Sequence, residues 1–177
     1  MHTIMNGKRY FFALLLIGAL LTACKKDSLN YENSFESSYH KWLSFKETSA
    51  NSYHYVVTGG SVFGPAWQTD ITVTSGKVTK RHFKYTSATG LGNIPAEALE
   101  WTENENEINS HLNSGAAALT LDQIYEKART EWLIKRKDAQ VYFETNNNGL
   151  ISSCGYIPDG CMDDCFFGIN ISSVGLL

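Results

Sequence analysis

The chain has 177 residues, 43% of them hydrophobic and 12% aromatic, with 15 Lys and Arg against 18 Asp and Glu for a formal charge of −3. That composition excludes a disordered chain, and the missing basic excess excludes a nucleic-acid-binding face. The length suits one domain with a sizeable core.

The first element is a leader. Lys8 and Arg9 precede an eleven-residue apolar run, Phe11 to Leu21, and Thr22-Ala23-Cys24 follows. A membrane-spanning helix needs roughly twenty residues, so the run is too short to span. Basic, then apolar, then small residues is the layout of a secretory signal peptide. Leu21-Thr22-Ala23-Cys24 further resembles the lipobox of bacterial lipoproteins. That resemblance implies a diacylglyceryl group on the Cys24 thiol, cleavage before Cys24, and a fatty acid such as palmitate on the freed amine. An ordinary secretory leader with an incidental cysteine is the alternative. Lys25, where retained lipoproteins commonly carry Asp, resembles the class sorted to the outer membrane, facing the periplasm or the cell surface. Lys25-Lys26-Asp27 is slightly similar to a surface-export tag. Loss of Lys8 and Arg9 with the leader would take the formal charge from −3 to −5. The expected organisation is a signal peptide over 1–23, a lipidated tether over 24–33 and a single domain over 34–177.

The domain opens with a predicted helix. Phe35, Tyr39, Trp42 and Lys46 recur at spacings of four, three and four, with Leu43 beside Trp42, and Ser49 to Ser52 end it. Tyr53 to Thr58 alternates as a strand, and Gly59-Gly60 closes it. Ser61 to Ala66 reads as a loop. Trp67 to Thr74 alternates again, Ser75-Gly76 supplies a hairpin turn, and Val78 to Tyr85 returns. Val78 has opposite parity to Phe83 and Tyr85, which predicts a bulge near Lys80 to His82. Thr86 to Pro95 is loop. Leu99 to Thr102 is a candidate edge strand, and the acidic, Asn-rich stretch Glu103 to Gly115 is expected to be mobile. Thr120 and Gln123 have capping-box spacing ahead of a second helix, whose stripe is Leu121, Ile124, Tyr125, Ala128 and Trp132. Strands follow at Ala139 to Thr145, Leu150 to Tyr156 and Phe167 to Ser172.

Short hairpins rather than helical crossovers join these strands. The expected fold is therefore α+β: an antiparallel sheet of five to six strands with two helices packed on one face. A β-sandwich is the alternative, against which the two helices argue. Trp42 ahead of Tyr53-His54-Tyr55, the run Ile71-Thr72-Val73-Thr74-Ser75-Gly76-Lys77-Val78, and Leu119-Thr120-Leu121-Asp122-Gln123-Ile124-Tyr125 together resemble a group of exported bacterial domains of unknown function. The resemblance covers most of residues 42–156 and implies no activity.

Cys154, Cys161 and Cys165 lie within twelve residues. An envelope compartment permits disulfides, and three thiols allow one bridge. Cys154–Cys161 is favoured, because Pro158-Asp159-Gly160 can fold the chain back; Cys161–Cys165 is next. Three thiolates with His54 or His82 would make a zinc site, and Asp159, Asp163 and Asp164 are weak calcium candidates. Solvation explains those acids more simply, and no metal or other cofactor is expected. There is no Gly-x-Ser-x-Gly elbow, His-Glu-x-x-His helix or phosphate loop, so no catalytic residue is assigned. His40, His54, His82 and His111 are scattered. Glu103, Glu105 and Glu107 would share one side of an extended segment, a pattern an exposed acidic loop also explains. The basic groups Lys77, Lys80, Arg81, Lys84 and Lys135, Arg136, Lys137 read as a solvated strand face and a helix C-terminus.

The expected function is that of a lipid-anchored envelope module binding another envelope component, a protein or a glycan, with no nucleic-acid partner. The binding candidates are Tyr53, Phe63 and Trp67, on the sheet or the Ser61 to Trp67 loop. The alternative is a hydrolase acting on glycan or cell-wall material, and a purely structural role in the envelope is the third reading.

Overall fold

The computed structural model describes residues 29–61 and 63–177. The leader, Cys24 and Lys25 to Asp27 lie outside the described residues. Leu29 forms an antiparallel bridge with Ile134, and the Asn30 amide donates to the Leu133 carbonyl at 2.7 Å. Residues 29 and 30, expected in the tether, are thus held to the body.

Helix α1 spans Glu32–Thr48. It buries Phe35, Ser38 and Trp42, with Tyr39 partly covered. Leu43 falls outside the stripe and is exposed. Glu32 in the first turn and Lys46 in the last suit the helix dipole. The chain then turns through Ala50 and Asn51, both at positive φ.

Seven strands follow: β1 Tyr53–Gly60, β2 Ala66–Thr74, β3 Lys77–Ser87, β4 Glu100–Asn104, β5 Ala139–Glu144, β6 Ser153–Pro158 and β7 Phe167–Leu176. They form one sheet in the order β4-β3-β2-β1-β7-β6-β5, with every pairing antiparallel. The α+β class and the antiparallel sheet are as expected. The strand count is a correction from five or six to seven, because the short candidate edge strand pairs in full with β3, Lys80 opposite Asn104 through Lys84 opposite Glu100. Among the described residues the helix count rises from two to three. A single turn, α2 (Ala96–Leu99), leads into β4, and α3 (Leu121–Lys127) runs on into a π-helical segment, Ala128–Trp132.

The capping box at Thr120 and Gln123 forms as the spacing predicts. Leu121, Ile124, Tyr125, Ala128 and Trp132 are all buried. Together with α1 they cover one face of the sheet, meeting Tyr53, Tyr55 and Val57 of β1, Ile71 and Val73 of β2, and Ile169 and Ile171 of β7. Aromatic rings dominate this layer. Trp42 meets Tyr53 edge-on at 5.3 Å and stacks on Tyr125 at 6.1 Å. Each buried phenol is satisfied: Tyr53 accepts from the Leu121 amide at 2.8 Å, Tyr55 donates to the Leu119 carbonyl, and Tyr125 pairs with the Ser38 hydroxyl at 2.7 Å. Burial raises all three phenol pKa values, that of Tyr125 to about 12.

The predicted bulge occurs one residue early. Thr72 pairs with Lys80 but Val73 pairs with Val78, so Thr79 is the extra residue. The bulge turns Val78, Arg81 and Phe83 to the helix side. Arg81, read in sequence as part of a solvated face, is consequently buried at 2% exposure. Its partner is Glu103, fully buried on β4, at 2.8 Å. Glu103 also accepts from the backbone amides of Asn109 (2.8 Å) and His111 (2.6 Å). The Arg81 guanidinium reaches the Ser114 carbonyl at 3.2 Å and lies over the Trp101 ring, on whose other neighbour, His111, the indole stacks at 4.3 Å. The stretch expected to be mobile is therefore pinned to the sheet by one buried carboxylate.

Cysteine pairing is a second correction. Cys161 and Cys165 are bonded, with Cα atoms 6.3 Å apart, while Cys154 is a free, buried thiol. Cys154 sits on β6 opposite Phe143 and Ile169, inside the core, and so is held away from the exposed loop carrying Cys161. Burial pushes its thiol pKa well above the ordinary value. Cys154 is expected to resist a water-soluble maleimide in native buffer and to take up one equivalent in denaturant without reductant. Labelling at the rate of an exposed thiol would contradict its placement.

The open face of the sheet as candidate functional site

The helices cover one face of the sheet. The alternate residues of β1 to β4 project from the other: His54, Val56 and Thr58, then Gln68, Asp70 and Thr72, then Lys80, His82 and Lys84, then Glu100 and Thr102. None of these is buried. The alternation that puts tyrosine and isoleucine against the helices puts histidine, aspartate and lysine here.

A depression of about 150 Å³ lies on this face, lined by His54, Asp70, Thr72, Lys80, His82 and Leu177. Pairing sets its geometry: His54 lies opposite Thr72 and Asp70 opposite His82. His54 Nδ1 is 3.7 Å from Asp70 Oδ1, an ion-pair distance too long for a hydrogen bond. His82 Nε2 is 2.8 Å from Glu100 Oε1. The His54 ring lies close over Gly175 of β7, where an added Cβ would come within 2.6 Å of Nε2. Glycine at that position is what lets the imidazole lie down on the sheet. About a third of each side chain is exposed: 38% for His54, 36% for Asp70 and 32% for His82. The depression thus presents two imidazoles, an ammonium, a carboxylate and a hydroxyl within one small area.

A second, wider depression of about 480 Å³ runs across Thr58, Glu144, Asn146, Ser153, Asn170 and Ser172. Its polar groups are largely occupied with one another. Ser153 bonds Asn170 at 2.8 Å, Asn146 donates to Glu144 at 3.1 Å, and Ser172 donates to the Val56 carbonyl at 3.3 Å.

Each depression holds a single carboxylate, Asp70 or Glu144, among its lining residues. Glycoside hydrolysis ordinarily uses two, roughly 5–10 Å apart. Glu103 is buried in its ion pair, and Glu105 and Glu107 are exposed in the following loop, so these three acids form no cleft. Among the described residues no group of three or more His, Cys, Asp or Glu is placed to hold a metal ion. The three-cysteine zinc arrangement is undone by the Cys161–Cys165 bond. Asp159, Asp163 and Asp164 are exposed in the loop before β7, with no calcium cage around them.

The structure separates the three aromatic candidates. Tyr53 is a correction: it is fully buried, on the parity that faces the helices, with its hydroxyl bonded to α3. Phe63 is 93% exposed on the β1–β2 loop. Trp67 is half-buried, lying flat over Gly59 and 6.1 Å from Phe83. Sequence reasoning named His54 and His82 but missed Asp70 as the carboxylate that lies between them. The signal was the opposite parity of the same strands, once the Thr79 bulge brings His82 into line with Asp70.

Compared with protein-family models, curated proteins and solved structures, the chain has no match in any of the three.

Proposed function

We propose that the protein is a lipoprotein anchored through Cys24 to the outer membrane of a bacterial envelope, where its open sheet face binds another envelope component. The observation that carries the binding reading is the uncovered polar face, with His54, Asp70, Lys80 and His82 gathered around one depression. The Leu21-Thr22-Ala23-Cys24 motif supports the anchor. Two or more acyl chains hold a domain at a bilayer, because each buried CH2 contributes about 0.8 kcal/mol. Mixed charge and the lack of Phe, Tyr or Trp among the residues lining this depression favour a protein partner with complementary charges over a sugar there, since glycan sites use stacking rings.

Cys24→Ser is expected to abolish incorporation of a fatty-acid analogue and to move the protein into the soluble fraction. A photocrosslinking residue at Thr72 should capture one defined envelope protein in living cells, and one at Lys41 on α1 should not. Asp70→Ala with Lys80→Ala should weaken that capture without lowering the melting temperature. Identical adducts at positions 72 and 41, or none at 72, would assign binding elsewhere.

A further inference from the structure

We propose that the end of the sheet carrying the β1–β2 and β3–α2 loops lies against the lipid surface that holds Cys24; this rests on the anchor reading above.

Three observations converge. The tether joins the body at this end. Leu29 bridges Ile134, five residues before β5 begins, and the Asp159 amide bonds the Asp138 carbonyl where β5 starts and β6 finishes. From Cys24 to Leu29 there are five Cα steps, a reach of at most about 18 Å. The body is therefore confined close to its anchor on this side.

The strand registers place two loops at the same end. Ala139 of β5 pairs with Pro158, Tyr156 with Phe167 at the start of β7, Gly60 with Ala66, and Ala66 with Ser87. The β1–β2 loop lies three strand spacings from β5, about 14 Å.

Those two loops are free of charge. Residues 59–69 and 86–96 contain no Asp, Glu, Lys or Arg, although 19% of the chain is charged. Phe63 stands 93% exposed at the tip of the first, with half-buried Trp67 behind it. Leu91, Ile94 and Pro95 occupy the second. Exposed Phe beside Trp, with no charge to desolvate, suits the headgroup–acyl boundary. Between tether and loops the rim is mixed, with Lys135 and Lys137 against Asp159, Asp163 and Asp164, all exposed. Such a rim matches a zwitterionic phospholipid leaflet better than an anionic one. The polar depression around Asp70 then lies away from the membrane, toward the other end of the strands, since His54 and Asp70 stand six and four residues from the Gly60–Ala66 pair.

The test uses the full acylated protein in phosphatidylethanolamine-rich vesicles, with a photocrosslinking residue at Phe63, Leu91 or Leu112. Leu112 is 79% exposed in the loop beside β4, the edge farthest from the tether. Phospholipid adducts are expected at 63 and 91 in several-fold excess over 112. Acylated protein giving equal adducts at all three positions, or none at 63 and 91, overturns the orientation and leaves the anchor standing. A chain that carries no fatty acid on Cys24 overturns both.

Discussion

Glu103→Ala is expected to destabilise the protein by about 3–5 kcal/mol, because it strands a buried guanidinium without its counter-charge. Arg81 is 2% exposed and its Nε already lacks a partner. With Glu103 removed, two amides in the 109–111 turn also lose their acceptor. Urea unfolding measures the loss. The double variant Arg81→Met with Glu103→Leu should recover much of it, since a packed apolar pair needs no desolvation offset. A loss below about 1 kcal/mol for Glu103→Ala would mean that water reaches Arg81.

The same site gives the acid behaviour. Burial alone would raise the Glu103 pKa. The amides of His111 and Asn109 and the Arg81 charge outweigh it, and the folded value lies below the ordinary 4.5. A carboxyl with a depressed folded pKa contributes stability that is complete above its unfolded pKa and is lost as pH falls through the folded one. Stability should therefore drop below about pH 4.5 in the natural chain, and drop less in the double variant.

Trp42→Ala is the second large effect, expected at about 3–5 kcal/mol from lost burial plus the residual cavity. Trp42 is fully buried among Phe45, Tyr53 and Tyr125. Its indole N–H donates to Asp122 at 3.0 Å, and Asp122 in turn holds Lys46 at 2.7 Å, so the ring also ties α1 to the start of α3. Thermal and urea unfolding should both register the change. A mild effect, comparable to trimming exposed Leu43, would place the centre of the core elsewhere.

Much of this fold was legible. Periodicity located both long helices, since Phe35 with Trp42 and Leu121 with Ile124 and Tyr125 repeat at helical spacing. Alternation located the strands, and the parity break after Val78 located the bulge. Its consequence was not legible. A charged residue in an alternating strand reads as solvated, and only the partner strand reveals that Arg81 faces Glu103 across β3 and β4. Sequence distance hid the candidate site for the same reason. His54, Asp70 and His82 are brought together by register across three strands, and register depends on bulges and turns. Tyr53 misled because an aromatic residue suits both a core and a contact surface, and the face it occupies is decided by which side the helices take. Cys154 misled because spacing cannot tell a core-facing thiol from one in a loop.

Pairing of β1 with β7 delays completion of the sheet until the last strand has emerged. The early strands β2 to β4 can zip onto β1 by neighbouring hairpins, and β5 can fold onto β6, as each pair emerges in chain order. The two halves stay separate until Phe167 to Leu176 emerges, because β7 alone bridges them. Until then β1 offers a bare hydrogen-bonding edge to other chains. A chain of this kind has good reason to need a chaperone up to its final strand, and a nonsense codon between residues 159 and 167 would leave two half-sheets rather than a slightly shortened protein.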